Sequence, residues 1–211
     1  NRKIKKNIIV KKIVIDNYRA VDKEISKKGQ KYRIEAEKEI ILSAGALNSP
    51  QILMLSGIGP ADHLRNIGSN VSHDLPGVGQ NLQDHATVSI SWECLKEFEA
   101  HKIDRPINKM MAGIKWIITP KRLAASNHFE AGGLIRGNDN VKYPNLQYHF
   151  GPTGFDYIGG KFKLSQAFTL QLDQLRPHSK GYLKLKSLNP KDSPEIKLNY
   201  FKDPRDIKEL T

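Results

Sequence analysis

A chain of 211 residues is long enough for one large domain or for parts of two. Its composition, 38 % hydrophobic and 27 % charged, suits a folded globular protein, and no apolar run approaches the ~18–20 residues that cross a bilayer. The single cysteine, Cys94, excludes an internal disulfide and a thiolate metal cluster, and fits a reducing compartment, either the cytoplasm or the periphery of the inner membrane.

The net charge of +12 is concentrated early, at Lys5, Lys6, Lys11 and Lys12 and then at Lys23, Lys27, Lys28, Lys31 and Arg33. Basic runs raise a nucleic-acid reading. Here the lysines interleave with Ile8, Ile9, Val10, Ile13, Val14 and Ile15, the pattern of a half-exposed sheet. The run also lacks the aromatic side chains on which bases stack, so no nucleic-acid partner is expected.

In chain order, Asn7–Asp16 and Ala20–Ile25 read as strands with turn residues around them, and Gln30–Glu37 alternates as a third. Ile40-Ile41-Leu42 is a continuous apolar run, which predicts a strand buried on both faces of a parallel sheet. Small residues, Ser43-Ala44-Gly45-Ala46, end it and leave room for a ligand. Asn48 or Ser49 is then expected to cap a helix with Pro50 in its first turn, running over Gln51–Leu55. Pro60–Ile67 reads as a second short helix. Thr87–Cys94 alternates as a strand, and Lys109–Ile118 as a helix with Met110, Ile114 and Ile117 on one face. Four further strands follow: His128–Arg136, Leu146–Phe150, Gln166–Leu175 and Tyr182–Leu188. Asp203-Pro204 caps a last helix. The expected organisation is an α/β part over 1–85, a mostly antiparallel part over 86–188, and the start of a further segment over 189–211.

Isolated motifs decide little. Gly57-x-Gly59 is followed by Pro60, and Gly77-x-Gly79 leads into Asn81 without a strand–turn–helix context, so both read as turns rather than dinucleotide fingerprints. The seven histidines lack metal-ligand spacing, and no metal is expected.

Longer stretches carry more. Ser43–Gly59 (SAGALNSPQILMLSGIG) and the loop LPGVGQNLQDH at Leu75–His85 resemble the second signature of the glucose-methanol-choline (GMC) oxidoreductases. The segments SNHFEAGGLIR at Ser126–Arg136, PNLQYHFGP at Pro144–Pro152, and Arg176–Asp206 resemble the choline dehydrogenase-like branch of that family. The resemblance implies a fold of α/β plus antiparallel β: part of a parallel-sheet FAD-binding domain, then a mostly antiparallel substrate-binding domain. It implies FAD as cofactor and oxidation of a primary alcohol, in which a base takes the hydroxyl proton and a hydride moves to the flavin. The electron acceptor is left open. The family's Gly-rich fingerprint and catalytic histidine correspond to positions before Asn1 and after Thr211. No catalytic residue is therefore expected in this chain, which by itself should neither hold FAD tightly nor turn over. A non-catalytic relative, or a binding module, is the alternative.

Residue by residue, the resemblance assigns Val10, Ser43, Ala44 and Gly45 to the cofactor. It assigns Phe129, Glu130, His149 and Phe155 to the substrate: an aromatic–acid pair, a histidine that polarises the alcohol, and one wall of an aromatic cage. Choline-oxidising members carry an acid two residues after the Asp-His of the loop. In this chain that position is Thr87, a neutral residue that cannot balance a fixed cation, so an alcohol other than choline is expected.

Overall fold

The computed structural model describes residues 4–119 and 123–211. The chain divides into two compact units: one runs up to Gln83 and is rejoined by Ser179–Tyr200, the other comprises Asp84–His178 with the residues from Phe201 onward.

The first unit opens with β1 (Ile9–Asp16), β2 (Arg19–Lys27) and β3 (Gln30–Glu35), an antiparallel sheet in that order. Ile13 and Ile25 are its buried anchors. The basic residues lie on its more exposed positions, and Asp22, itself buried, takes Arg33 Nε at 2.5 Å. The expected strand at Ile40–Leu42 does not form, and Ile41 is 79 % exposed. A parallel strand exists only by pairing, and none of the described strands runs beside this one. The apolar run announced a buried surface but not what covers it.

Helix α1 spans Gly45–Leu55, starting before the expected Asn48 or Ser49 cap. Ser49 instead reaches back from inside the helix, its Oγ accepting the Ala44 N–H at 3.1 Å. Pro50 therefore sits within the helix rather than at its first position. After β4 (Ile58–Gly59), helix α2 (Ala61–Asn66) has its first N–H, that of Ala61, accepted by Asp74 Oδ1 at 3.0 Å. Asp74 belongs to β5 (His73–Asp74), which runs parallel to β4, and β6 (Gln80–Leu82) follows the LPGVG turn.

The second unit is built on a four-stranded antiparallel sheet. Its strands are β7 (Thr87–Glu93), β8 (Ala131–Ile135), β9 (Leu146–Gly151) and β12 (Ala167–Gln174), in the spatial order β7-β12-β9-β8. A separate hairpin, β10 (Gly154–Ile158) with β11 (Lys161–Ser165), turns at Gly159-Gly160. Helix α3 (Pro106–Ile118) begins three residues earlier than expected and has no buried residue; Met110, Ile114 and Ile117 are all exposed.

The chain then returns to the first unit. The strand expected at Tyr182–Leu188 is β13 (Gly181–Lys184), and it lies between β6 and β14 (Glu195–Lys197) rather than in the sheet of the second unit. Met54, Leu64, Val78, Leu183 and Leu185 form the core there. In the second unit, α4 (Pro204–Leu210) is capped as expected by Asp203, whose side chain accepts the Arg205 N–H. Asp206 ties α4 to β12 by accepting from Gln174 Nε2 at 3.0 Å, both residues being buried.

His63 of α2 holds β13's exit by accepting the Leu185 N–H on Nε2 at 3.1 Å. An accepting Nε2 requires the neutral ring. Partial burial and the charge of Lys184 keep its pKa below the ordinary histidine value, against a smaller opposite pull from Glu195. A folded-state pKa below the unfolded one means stability that is present above about pH 6.5 and lost as pH falls through the folded value. Thermal melts from pH 7.5 to 5 should show Tm falling in that window. His63→Gln, whose amide oxygen accepts the same bond without titrating, should flatten the slope; an unchanged slope rejects this assignment.

Candidate functional site

The four-stranded sheet has two chemically different faces because its register aligns like with like. Thr87, Ser89 and Ser91 of β7 stand opposite Asp173, Gln171 and Thr169 of β12, and the last two stand opposite His149 and Gly151 of β9. Strand alternation therefore makes one face almost wholly polar. The other face carries Val88, Ile90, Trp92, Phe168, Leu170 and Phe150, with Trp92 stacked on Phe168 at 5.2 Å.

Aromatic rings edge the polar face. Phe129 lies 5.1 Å from the ring of His149, and His128 lies 5.5 Å from Phe129 and 5.2 Å from Phe155. Between them is a cavity of about 550 Å³ lined by Ser89, Ser91, Phe129, Gly151, Phe155, Thr169 and Gln171. Its floor is cross-linked: Ser91 and Thr169 hydroxyls meet at 2.8 Å, Thr169 donates to the Thr153 carbonyl, and the Thr153 hydroxyl meets His128 Nε2 at 3.0 Å. A wall of rings over a bed of fixed hydroxyls and one amide can enclose a small polar molecule and orient its oxygen.

Of the residues assigned to the substrate, Phe129, His149 and Phe155 meet in this way. Thr87 lies further along the same face, its hydroxyl donating to Asp173 Oδ1 at 2.5 Å. Glu130 stands apart, lining a second cavity with Cys94, Phe150 and Phe168. Asp173, Gln171 and His128 were not among the expected residues. The alternation Thr169-x-Gln171-x-Asp173 marked a polar strand face, but only the register shows what that face meets.

In the first unit, Ser43 and Gly45 are exposed at the start of α1, and Ala44 is its N-cap residue. Gly45 has φ +87° and nothing within 4 Å of the place its Cβ would occupy. No side chain caps the helix and no acid stands in its first turn. The Ala44 N–H is taken by Ser49 Oγ, while the first helical N–H groups after it have no side-chain cap, an arrangement that suits an anion. Val10 sits on β1 in register with Ile25.

The family model that matches this chain, over residues 1–87, is that of the GMC oxidoreductases. Human mitochondrial choline dehydrogenase is 40 % identical over 210 residues, all but the whole of this chain, and the oxygen-dependent choline dehydrogenase 1 of Chromohalobacter salexigens is 40 % identical over 198. The chain spans about 35 % of the length of each. A formate oxidase structure superposes with a TM-score of 0.85 at 24 % identity, covering 96 % of this chain and 41 % of that one. Pyridoxine 4-oxidase gives 0.74 at the same identity. The chain belongs to the GMC oxidoreductase family, and its fold is the α/β-plus-antiparallel architecture of those neighbours.

Among the described residues, no helix is long and apolar enough to cross a membrane.

Proposed function

We propose that this chain is the central part of an FAD-dependent oxidoreductase that oxidises a primary alcohol. The observation that carries the reading is the 40 % identity to choline dehydrogenases along essentially the whole chain. The polar, ring-edged cavity on the antiparallel sheet supports it.

The open turn at Ser43-Ala44-Gly45, with its uncapped helix N-terminus, fits the diphosphate part of FAD, and Val10 is the strand residue assigned beside its adenine. FAD supplies the two-electron acceptor, and the residues of this chain bind and orient. Phe129 and Phe155 exclude water from the substrate's carbon atoms. His149, held on β9, presents its ring to the hydroxyl. Thr87 lies further along the same polar face, while Glu130 lines the other cavity and takes no part in this arrangement.

An alcohol without a fixed positive charge is the preferred substrate. The cavity lining includes no carboxylate, and Thr87 is neutral. A quaternary ammonium donates no hydrogen bond and needs a nearby anion to offset its lost hydration. The full-length protein should therefore show a kcat/KM for small neutral primary alcohols at least about tenfold above that for choline, a difference of about 1.4 kcal/mol. A higher value for choline overturns the substrate preference, and absence of bound flavin in the full-length protein overturns the whole reading.

A further inference from the structure

Asp173 is, among the described residues, the buried carboxylate on the polar face of the sheet at His149, and its surroundings give it a definite task. It is 6 % exposed. An ionised carboxylate is a hydrogen-bond acceptor only. Asp173 has three partners. Thr87 Oγ1 and Gln171 Nε2 donate to Oδ1, at 2.5 and 3.2 Å, and His149 Nε2 stands 3.1 Å from Oδ2. They come from three adjacent strands. Thr87 is the directly opposite residue on β7, Gln171 is two residues back on β12, and His149 of β9 is a diagonal neighbour, opposite Gln171. A diagonal pair in a sheet is within reach of a side chain as long as histidine's.

We propose that Asp173 is a positioning residue for His149. Its carboxylate obliges Nε2 to carry the ring proton, and Thr87 and Gln171 hold the carboxylate in place. The neutral imidazole has one N–H and one lone pair. With Nε2–H spent on Asp173, the lone pair is on Nδ1, which no described residue engages. The ring is packed against Phe129 at 5.1 Å and so cannot swing freely. A histidine with an orienting acid behind it and an accepting nitrogen in front is suited to receive an alcohol hydroxyl's hydrogen bond, which is the logic of an oriented base in general. The carboxylate is thereby committed to the histidine and is not available to a cation in the cavity. The register puts it directly across from Thr87, the position at which the family resemblance implies an acid in choline-oxidising members. The same face thus keeps an acid but directs it at the histidine.

This inference rests on the reading of His149 as the residue that meets the substrate hydroxyl, and two readouts separate them. The first is the tautomer of His149, read from ring nitrogen shifts in the full-length flavin-loaded protein labelled with 15N-histidine, the signal being assigned by its loss in His149→Gln. The wild type should show the Nε2–H form. Asp173→Asn, whose amide can donate to Nε2, should convert it to Nδ1–H. The second is kinetic: with a neutral primary alcohol, Asp173→Asn should lower kcat by about 10- to 100-fold with KM within about threefold, because an N–H would then face the substrate in place of a lone pair. A wild-type ring in the Nδ1–H form overturns the inference without any variant, so it remains testable if Asp173→Asn fails to fold. A tautomer unmoved in folded Asp173→Asn overturns it too. A converted tautomer with kcat unchanged both there and in His149→Gln upholds the positioning by Asp173 and overturns the role of His149 toward substrate.

Discussion

Gly79→Ala is expected to remove more than about 4 kcal/mol of stability, a large part of what a domain of ordinary size possesses. Two costs coincide at this position. The backbone of Gly79 has φ +76°, a left-handed conformation that costs a residue with a Cβ roughly 1–2 kcal/mol. The added Cβ would also lie 2.3 Å from the carbonyl oxygen of Leu183 and 3.5 Å from Met54 Cε. The contact with Met54 is ordinary, but the Leu183 carbonyl cannot yield cheaply. The Leu183 backbone is tied to Gly79 itself, its N–H donating to the Gly79 carbonyl at 2.6 Å, and the side chains of Leu183 and Met54 are at the centre of the core. Gly77, two residues earlier in the same turn, is the control. It is outside the left-handed region and has open space where its Cβ would go, so Gly77→Ala should cost less than about 1 kcal/mol. Denaturant unfolding of the two variants side by side measures the difference. Equal destabilisation would show that the turn tolerates or rejects side chains for some reason other than the contact with β13.

Contrasts of this kind also explain how far the sequence could be read. Local signals gave local answers. The Ile/Val-rich run at Asn7–Asp16, the alternation at Thr87–Cys94, the stop after Leu55 and the Asp203 cap each depend on a few neighbouring residues, and each is found in the structure within a residue or two. The hairpin β10–β11 was legible in principle. Gly159-Gly160 between GFDYI and KFKLS is a turn signal, with both glycines at positive φ, although the segment lay outside the expected strands. What local patterns do not encode is pairing. Ile40–Leu42 had the composition of a buried strand and has no described neighbour, while β13 leaves the sheet its sequence position suggested and pairs with β6, about 100 residues away. The candidate site shows the same limit. The resemblance pointed to Phe129 and Phe155, which line one cavity, and to His149, whose ring lies against Phe129. Asp173 carried no motif, and its importance comes only from standing opposite Thr87 and diagonal to His149.

His149→Ala should lower kcat/KM of the full-length protein by about 10²–10⁴, the range associated with losing a positioned proton-handling group. The expectation follows from how rigidly the ring is held. His149 lies in the middle of β9, paired on both sides, with Gln171 of β12 on one and Gly132 of β8 on the other. Its side chain is 29 % exposed, partly sheltered yet open to a ligand, and is fixed by Asp173 and Phe129. A group that strand geometry, a neighbouring carboxylate and a ring contact all hold in one place needs little reorganisation when charge develops on the substrate oxygen. Its removal should therefore be felt mainly in kcat, since an interaction that strengthens in the transition state is the one that is lost. Phe155→Leu offers the opposite signature. Phe155 lies on β10, is exposed at the rim of the cavity and touches the ring of His128, so its loss should raise KM several-fold and leave kcat within about twofold. Steady-state kinetics of both variants with one neutral primary alcohol separates the two effects. If His149→Ala keeps kcat/KM within about threefold, the polar face of this sheet is not where the alcohol oxygen is held. If Phe155→Leu lowers kcat as much as His149→Ala does, the rings set the geometry of reaction as well as the shape of the pocket.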